Sequence, residues 1–231
     1  MTPPTALVTG ASRGLGAALA AALAARGWRL VVDARDAGRL AGTVAGLPAP
    51  DRVTAVPGDV ADPAHRAALA AAVGDRLDLL VNNASDLGPT PLPRLADLPP
   101  ADLERVLAVN TVAPLALVQA VLPALERAGG TVVSVSSDAA VEAYPGWGGY
   151  GASKAALDRL TAVLAVEHPG LRVYAVDPGD MATDMHRAAA PDDEDLPDPE
   201  DVVPAFLRLL DDPPPGGRLR AADLLLVEAR R

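Results

Sequence analysis

The chain contains no cysteine, so disulfides, thiolate metal sites and thiol nucleophiles are excluded and the redox compartment is left open. Histidine is almost as scarce: His65, His168 and His186 lie far apart, none at metal-ligand spacing, and no metal is expected. Positive charge is in deficit, with 20 Lys and Arg against 30 Asp and Glu and a net charge of -10. Nucleic acid needs a basic footprint on its partner, and none is expected here. Phe206 is the single phenylalanine, which leaves small aliphatic side chains to build a core suited to close helix–sheet packing. The basic and apolar pattern of a secretory leader is missing, and the apolar stretch at 17–25 is too short to cross a bilayer. A cytoplasmic protein with no membrane partner is the expectation.

What the chain does have is 231 residues, half of them apolar, enough for one large core and a single domain over 1–231. Short apolar runs alternate with helical patterns, the mark of βαβ units and a parallel sheet. Strands are predicted at 5–9, 29–33, 53–56, 77–81, 131–136, 171–176 and 222–227. Helices are predicted at 15–25, 38–45, 63–73, 101–125, 150–167 and 199–210. Asp62 caps the third helix, with Pro63 at the first helical position; Pro114 is expected to kink the fourth. The fold class is α/β, a doubly wound, seven-stranded parallel sheet flanked by helices. Residues 184–198 break the pattern with prolines and with Asp192, Asp193, Glu194, Asp195 and Asp198. A solvated, mobile loop is expected there. It follows the sixth strand, where open parallel sheets bind ligands, and is therefore a candidate substrate lid.

The first strand runs into Thr9-Gly10-Ala11-Ser12-Arg13-Gly14-Leu15-Gly16, which opens a helix. Glycines at these places allow a tight turn and a close backbone approach to a pyrophosphate, whose charge the helix N-terminus favours. No Gly-Lys-Ser/Thr closes the turn, so it is not a P-loop. Which dinucleotide it takes turns on the end of the second strand. Asp33 could accept ribose hydroxyls, whereas Arg35 and Arg13 could clamp a 2′-phosphate. Asp33 and Arg35 share a side of the strand, so counting alone leaves both readings open.

Tyr150 and Lys154 fall on one face of a predicted helix in Tyr150-Gly151-Ala152-Ser153-Lys154, with Ser137 upstream. A free tyrosine titrates near 10, so a base at neutral pH needs its pKa lowered by roughly 2–3 units, about 3–4 kcal/mol of phenolate stabilisation. The Lys154 ammonium is placed to contribute, and the Ser137 hydroxyl to polarise a substrate oxygen. A tyrosine and a lysine one turn apart also occur by chance, and Ser134, Ser136 and Ser137 can simply end a strand. Their presence beside a nucleotide turn in one chain is what points to chemistry.

Together with Asp59-Val60, Asn82-Asn83-Ala84, Asn110, and Pro178-Gly179 followed by Thr183, these residues resemble the short-chain dehydrogenase/reductase family, in order and spacing, over essentially the whole chain. The resemblance implies a Rossmann fold and direct hydride transfer between nicotinamide and substrate carbon. Tyr150 would be the proton donor in reduction and Ser137 the donor to the substrate oxygen. Lys154 would bind the ribose and depress the Tyr150 pKa, and Asn110 would hold a relay water. Cofactor contacts would come from Gly10, Ser12, Arg13, Gly14, Leu15 and Gly16, from Arg35, Asp59, Val60 and Asn83, from Tyr150 and Lys154, and from Pro178, Gly179 and Thr183.

The family's NAD-selecting acid falls at Ala34, with Arg35 after it and Arg13 before Gly14, so the resemblance implies NADP(H) and releases Asp33 from the ribose. Motif detail at 146–150 and 177–185 is similar to the sepiapterin reductase branch and its bacterial carbonyl and benzil reductases. The expected activity is NADPH-dependent reduction of a small ketone, aldehyde or dicarbonyl. Alcohol oxidation with NADP, or a nucleotide-sensing or partner-binding role without catalysis, are the alternatives. A homodimer or homotetramer through the helices at 101–125 and 150–167 is also implied. The chain departs from the family pattern twice. Ser85 replaces the glycine of Asn-Asn-Ala-Gly and fits only at a negative φ, and the tail at 216–223 lacks a closing Asp-Gly-Gly.

Overall fold

The computed structural model describes residues 2–228. Seven strands form one all-parallel sheet: β1 (Thr5–Val8), β2 (Arg29–Ala34), β3 (Val53–Pro57), β4 (Leu79–Asn82), β5 (Thr131–Val135), β6 (Arg172–Asp177) and β7 (Gly217–Arg220). Their order is β3-β2-β1-β4-β5-β6-β7. The connecting helices are α1 (Gly14–Ala25), α2 (Ala37–Ala45), α3 (Pro63–Val73), α4 (Pro100–Leu107), α5 (Ala113–Ala128), α6 (Gly148–Glu167), α7 (Asp184–Ala189) and α8 (Pro199–Asp211), with α9 (Ala221–Glu228) closing the described chain. This is the doubly wound Rossmann architecture expected from the alternating pattern.

Strand alternation divides the core in two. Val8, Val32 and Val81 lie in register across β1, β2 and β4 and face a cluster built with α1, α8 and α9. Leu7, Val31 and Leu80, one residue earlier on each strand, face α3 and α5. Burial on both faces is why these strands read as unbroken apolar runs rather than as alternation. β1 and β4 are neighbours although β2 and β3 intervene in sequence, so the winding reverses between them and leaves a crevice at their C-terminal ends.

Helix α3 begins as predicted, with the Asp62 carboxylate accepting the Ala64 N–H at 2.9 Å and Pro63 in the first turn. The seventh strand does not. It lies at Gly217–Arg220, beside β6, and the predicted 222–227 belongs to helix α9. A short apolar run suits either state, and here Ala221 and Leu224 pack against the first cluster one helical turn apart.

The long helix predicted at 101–125 is bent by more than a proline kink. A π-helical turn, Ala108–Val112, joins α4 to α5, and the Ala113 N–H reaches the Ala108 carbonyl. Pro114 has no N–H for the Asn110 carbonyl and its ring crowds that oxygen, so the backbone widens there. The combined helix Pro100–Ala128 is long and apolar enough to cross a bilayer, which the sequence reading passed over, yet half of its apolar window is buried within the protein. Residues 184–198 are also not loop throughout, because Asp184–Ala189 forms α7.

Candidate active site

A cleft of about 550 Å³ opens at the C-terminal ends of the strands. The glycine turn after β1 and Asn83 to Ser85 after β4 form one part of its wall, and residues following β5 and β6 form the other. Of the residues singled out in the sequence, Gly10, Ser12, Arg13, Gly14, Leu15, Arg35, Asp59, Val60, Asn83, Ser137, Tyr150, Lys154, Pro178, Gly179 and Thr183 line it. Gly16 and Asn110 do not; they stand behind the wall.

At the phosphate end the turn is held shut by its neighbours. Gly10 has φ +68°, and a Cβ there would lie 2.9 Å from the Ala84 Cα; at Gly16 it would lie 2.4 Å from the Gly10 carbonyl oxygen. Neither position accepts a side chain. Asn83 spends its amide on this brace, donating to the Thr9 and Gly10 carbonyls at 2.8 and 3.2 Å. Asp33 is likewise committed. Its Oδ1 accepts the Gly10 N–H at 2.7 Å, its Oδ2 meets His65 Nε2 at 3.0 Å, and the residue is 1% exposed. The acid that tempted an NAD reading is thus a strut, and Ala34 beyond it offers no acceptor.

Three arginines gather at this end: Arg13 from the turn, Arg35 after β2 and Arg39 from α2. Arg39 lies in the first turn of α2, outside any motif, and so carried no sequence signal. Asp184 Oδ2 accepts from Arg13 at 2.6 Å and from Arg39 at 3.3 Å, and its Oδ1 from Arg187 at 2.7 Å. Hydrogen bonds from Arg187 and Arg13 hold its carboxyl down at about 2. Thr183 Oγ1 caps α7 by accepting the His186 N–H at 3.2 Å, which leaves its O–H to donate toward the cleft.

At the other end α6 sets Tyr150 and Lys154 one turn apart, with the Lys154 Nζ 5.5 Å from the Tyr150 ring centroid. Trp147 meets the same ring edge-on, centroids 5.7 Å apart. The expected depression of the tyrosine pKa is not found in the protein alone. Burial pushes Tyr150 up to about 12; hydrogen bonds from the Ser85 and Ser137 hydroxyls pull it back, and the charges of Asp138 and Asp177 add to the rise. Lys154 does not reverse it, because burial pushes its own pKa down to about 8 and its ammonium donates to the Val135 carbonyl at 2.7 Å. Ser137 Oγ donates to Asp138 Oδ1 at 3.0 Å.

Asn110 departs from its expected role in one respect. Its Oδ1 accepts from Ser85 Oγ and the Asp86 N–H, and its Nδ2 donates to the Asp86 carbonyl and Ser153 Oγ, so the fully buried carboxamide has no capacity left for a water. Its main-chain carbonyl lies in the π turn, where Pro114 has no N–H to donate to it. Ser85 itself is accommodated, since among the described residues only Ala49 and Asp195 are non-glycine residues with positive φ.

The sequence reading missed a further support, Arg218 on β7. It donates to the Ser137 carbonyl at 2.9 Å, to Asp177 Oδ2 at 3.2 Å and to Asp158 Oδ2 at 3.0 Å, fastening the serine turn to β6 and α6. No motif marks it; only the pairing of β7 with β6 brings it there. The whole arrangement fits a phosphorylated dinucleotide. The backbone of the turn from Ser12 to Leu15 lines the cleft at the start of α1, the arginines lie at one end, and Ser136 Oγ in the cleft wall is buried without a hydrogen-bond partner.

A family model described as short chain dehydrogenase matches residues 4–194. Sepiapterin reductase of Mus musculus is 37% identical over 210 residues, 84% of this chain and 79% of that protein. The rhamnolipids biosynthesis 3-oxoacyl-[acyl-carrier-protein] reductase of Pseudomonas aeruginosa is 36% identical over 202 residues, 83% of this chain and 78% of that one. A Shigella flexneri short chain dehydrogenase solved in complex with NADP superposes with a TM-score of 0.89 at 28% identity, covering 96% of this chain and 98% of that chain.

Proposed function

The chain belongs to the short-chain dehydrogenase family, and from that premise we propose that it is an NADPH-dependent reductase of small ketones, aldehydes or dicarbonyls with Tyr150 as proton donor. Family members are oxidoreductases that use a nicotinamide cofactor. The observation that carries the reading is that Ser137, Tyr150 and Lys154 share one cleft with the glycine turn and its arginines. Arg13, Arg35 and Arg39, with Ala34 where an acid would repel a 2′-phosphate, favour NADP(H) over NAD(H).

When bound, the reduced nicotinamide supplies the hydride. The chain's part is to place and protonate the substrate oxygen. Ser137 turns its hydroxyl from Asp138 to that oxygen, and Tyr150 gives up its proton, so that charge is neutralised as it develops. Ser85, by turning its hydroxyl from Asn110 to Tyr150, favours the resulting phenolate. Lys154, with its proton loosely held, returns one to Tyr150, and the Asn110 carbonyl anchors a water that resupplies Lys154. Leu87, Trp147 and Met185 pack around Tyr150 and exclude bulk water, which suits a small, fairly apolar substrate. A cytoplasmic site of action, and assembly as a homodimer or homotetramer, complete the reading.

Purified protein should oxidise NADPH when offered dicarbonyls and aromatic ketones, and Tyr150→Phe should lower kcat by about 10²–10⁴-fold. A phenylalanine variant that turns over like the wild type would remove the assigned proton donor.

A further inference from the structure

We propose that Asp184 is the protein's own stand-in for the cofactor 2′-phosphate, tying the phosphate-binding arginines to helix α7 until a phosphorylated nucleotide takes its place. The inference rests on the NADP(H) reading above and goes on to say how that preference is set and where it is felt.

One carboxylate joins three parts of the fold. Arg13 belongs to the glycine turn, Arg39 to α2 and Arg187 to α7, and all three donate to Asp184. Arg35, beside them in the cleft wall, has no ion-pair partner among the described residues. The nearby Asp36 is occupied in capping α2, where it accepts the Arg39 N–H at 2.9 Å. Arg13, Arg35, Arg39 and Arg187 thus gather around the single carboxylate of Asp184, a local concentration of guanidinium groups that suits a phosphate monoester. A phosphate brings three acceptor oxygens and more charge than a carboxylate, so it competes for Arg13 and Arg39 on favourable terms. Asp184 keeps Arg187 because both ride on the same helix.

The consequence reaches the substrate side. Asp184 is the first residue of α7, and the next residue, Met185, packs against the cluster that holds Tyr150 and Leu87. Exchanging Asp184 for a phosphate at Arg13 and Arg39 removes the tether between α7 and the nucleotide end. A nucleotide without a 2′-phosphate leaves it in place. By linkage, whatever holds α7 to the arginines must weaken phosphate binding by the same factor.

The test uses adenosine 2′,5′-bisphosphate and AMP, which carry no nicotinamide, with calorimetry and amide hydrogen exchange at low salt, where exposed ion pairs are least screened. In the wild type the bisphosphate should speed exchange across α7 and AMP should not. Asp184→Asn keeps the side-chain size and the Thr183 cap. It should bind the bisphosphate roughly 2- to 30-fold more tightly, the range for two exposed ion pairs no longer in competition, with AMP affinity unchanged and α7 exchanging fast from the start. Unchanged or weaker bisphosphate binding by that variant, or α7 exchange indifferent to the bisphosphate, would overturn the proposal. Wild-type protein that prefers AMP to the bisphosphate would instead refute the NADP(H) reading, and this inference with it.

Discussion

Lys154 is an ammonium in a place that penalises ammonium. Its pKa falls from 10.5 to about 8 because it is buried, and at 1.36 kcal/mol per unit the charged form costs the fold about 3 kcal/mol below pH 8. The hydrogen bond to the Val135 carbonyl returns about 1 kcal/mol of this. Between pH 8 and 10.5 the unfolded chain holds more protons at this site than the native one, so the penalty fades and stability rises with pH. Lys154→Met should therefore melt above the wild type near pH 7, by about 1–2 kcal/mol, with the gap closing toward pH 10, while carbonyl reduction is lost. Calorimetric scans at several pH values check this; a gap independent of pH would mean that the lysine's charge is not what strains the fold. Tyr150 and Lys154 were visible as a pair from their spacing. Their pKa values were not, because desolvation depends on what packs over a residue.

At the level of elements, β7 shows how a short edge strand can carry a site. Arg218 is 27% exposed at its side chain, but the carboxylates it meets, Asp158 and Asp177, are 14% and 6% exposed. Arg218→Leu leaves both without their guanidinium and frees the Ser137 carbonyl, so it should destabilise the protein by about 2–4 kcal/mol in urea unfolding and lower kcat more than it raises KM. A variant as stable and active as the wild type would show that β7 only closes the sheet. The sequence placed this strand wrongly because Leu224-Leu225-Leu226 is the stronger apolar run, whereas Gly217–Arg220 is a polar edge with little hydrophobic signal. The π turn at Ala108–Val112 was half visible, since Pro114 announced a disturbance but not its form.

Taken whole, the molecule carries a net charge of -10 while its phosphate end collects arginines, a local reversal that composition alone conceals. Its surface also leaves apolar residues on two neighbouring helices: Val112 at the join of α4 and α5, Leu115 on α5, and Val163 and Val166 on α6, the last 81% exposed. Helices with such faces usually meet a partner. Light scattering should report a dimer or tetramer for the wild type and a smaller species for Val166→Asp. A wild-type monomer at working concentration would refute the assembly.

The alternation of apolar runs and helical patterns, the glycine turn and the Ser137, Tyr150 and Lys154 set are local features, and through them the sequence by itself determined the fold class and the motif residues that share the cleft, though not the rest of its wall. Side-chain period and turn stereochemistry act within a few residues, so they can be read along the chain. Tertiary structure alone decided that Asp33 is a strut bound to Gly10 and His65, that Arg218 supports Ser137, and that Asp184 bridges the glycine turn and α2. Each depends on charged groups far apart in sequence meeting at a common edge of the sheet, and no local pattern encodes such a meeting.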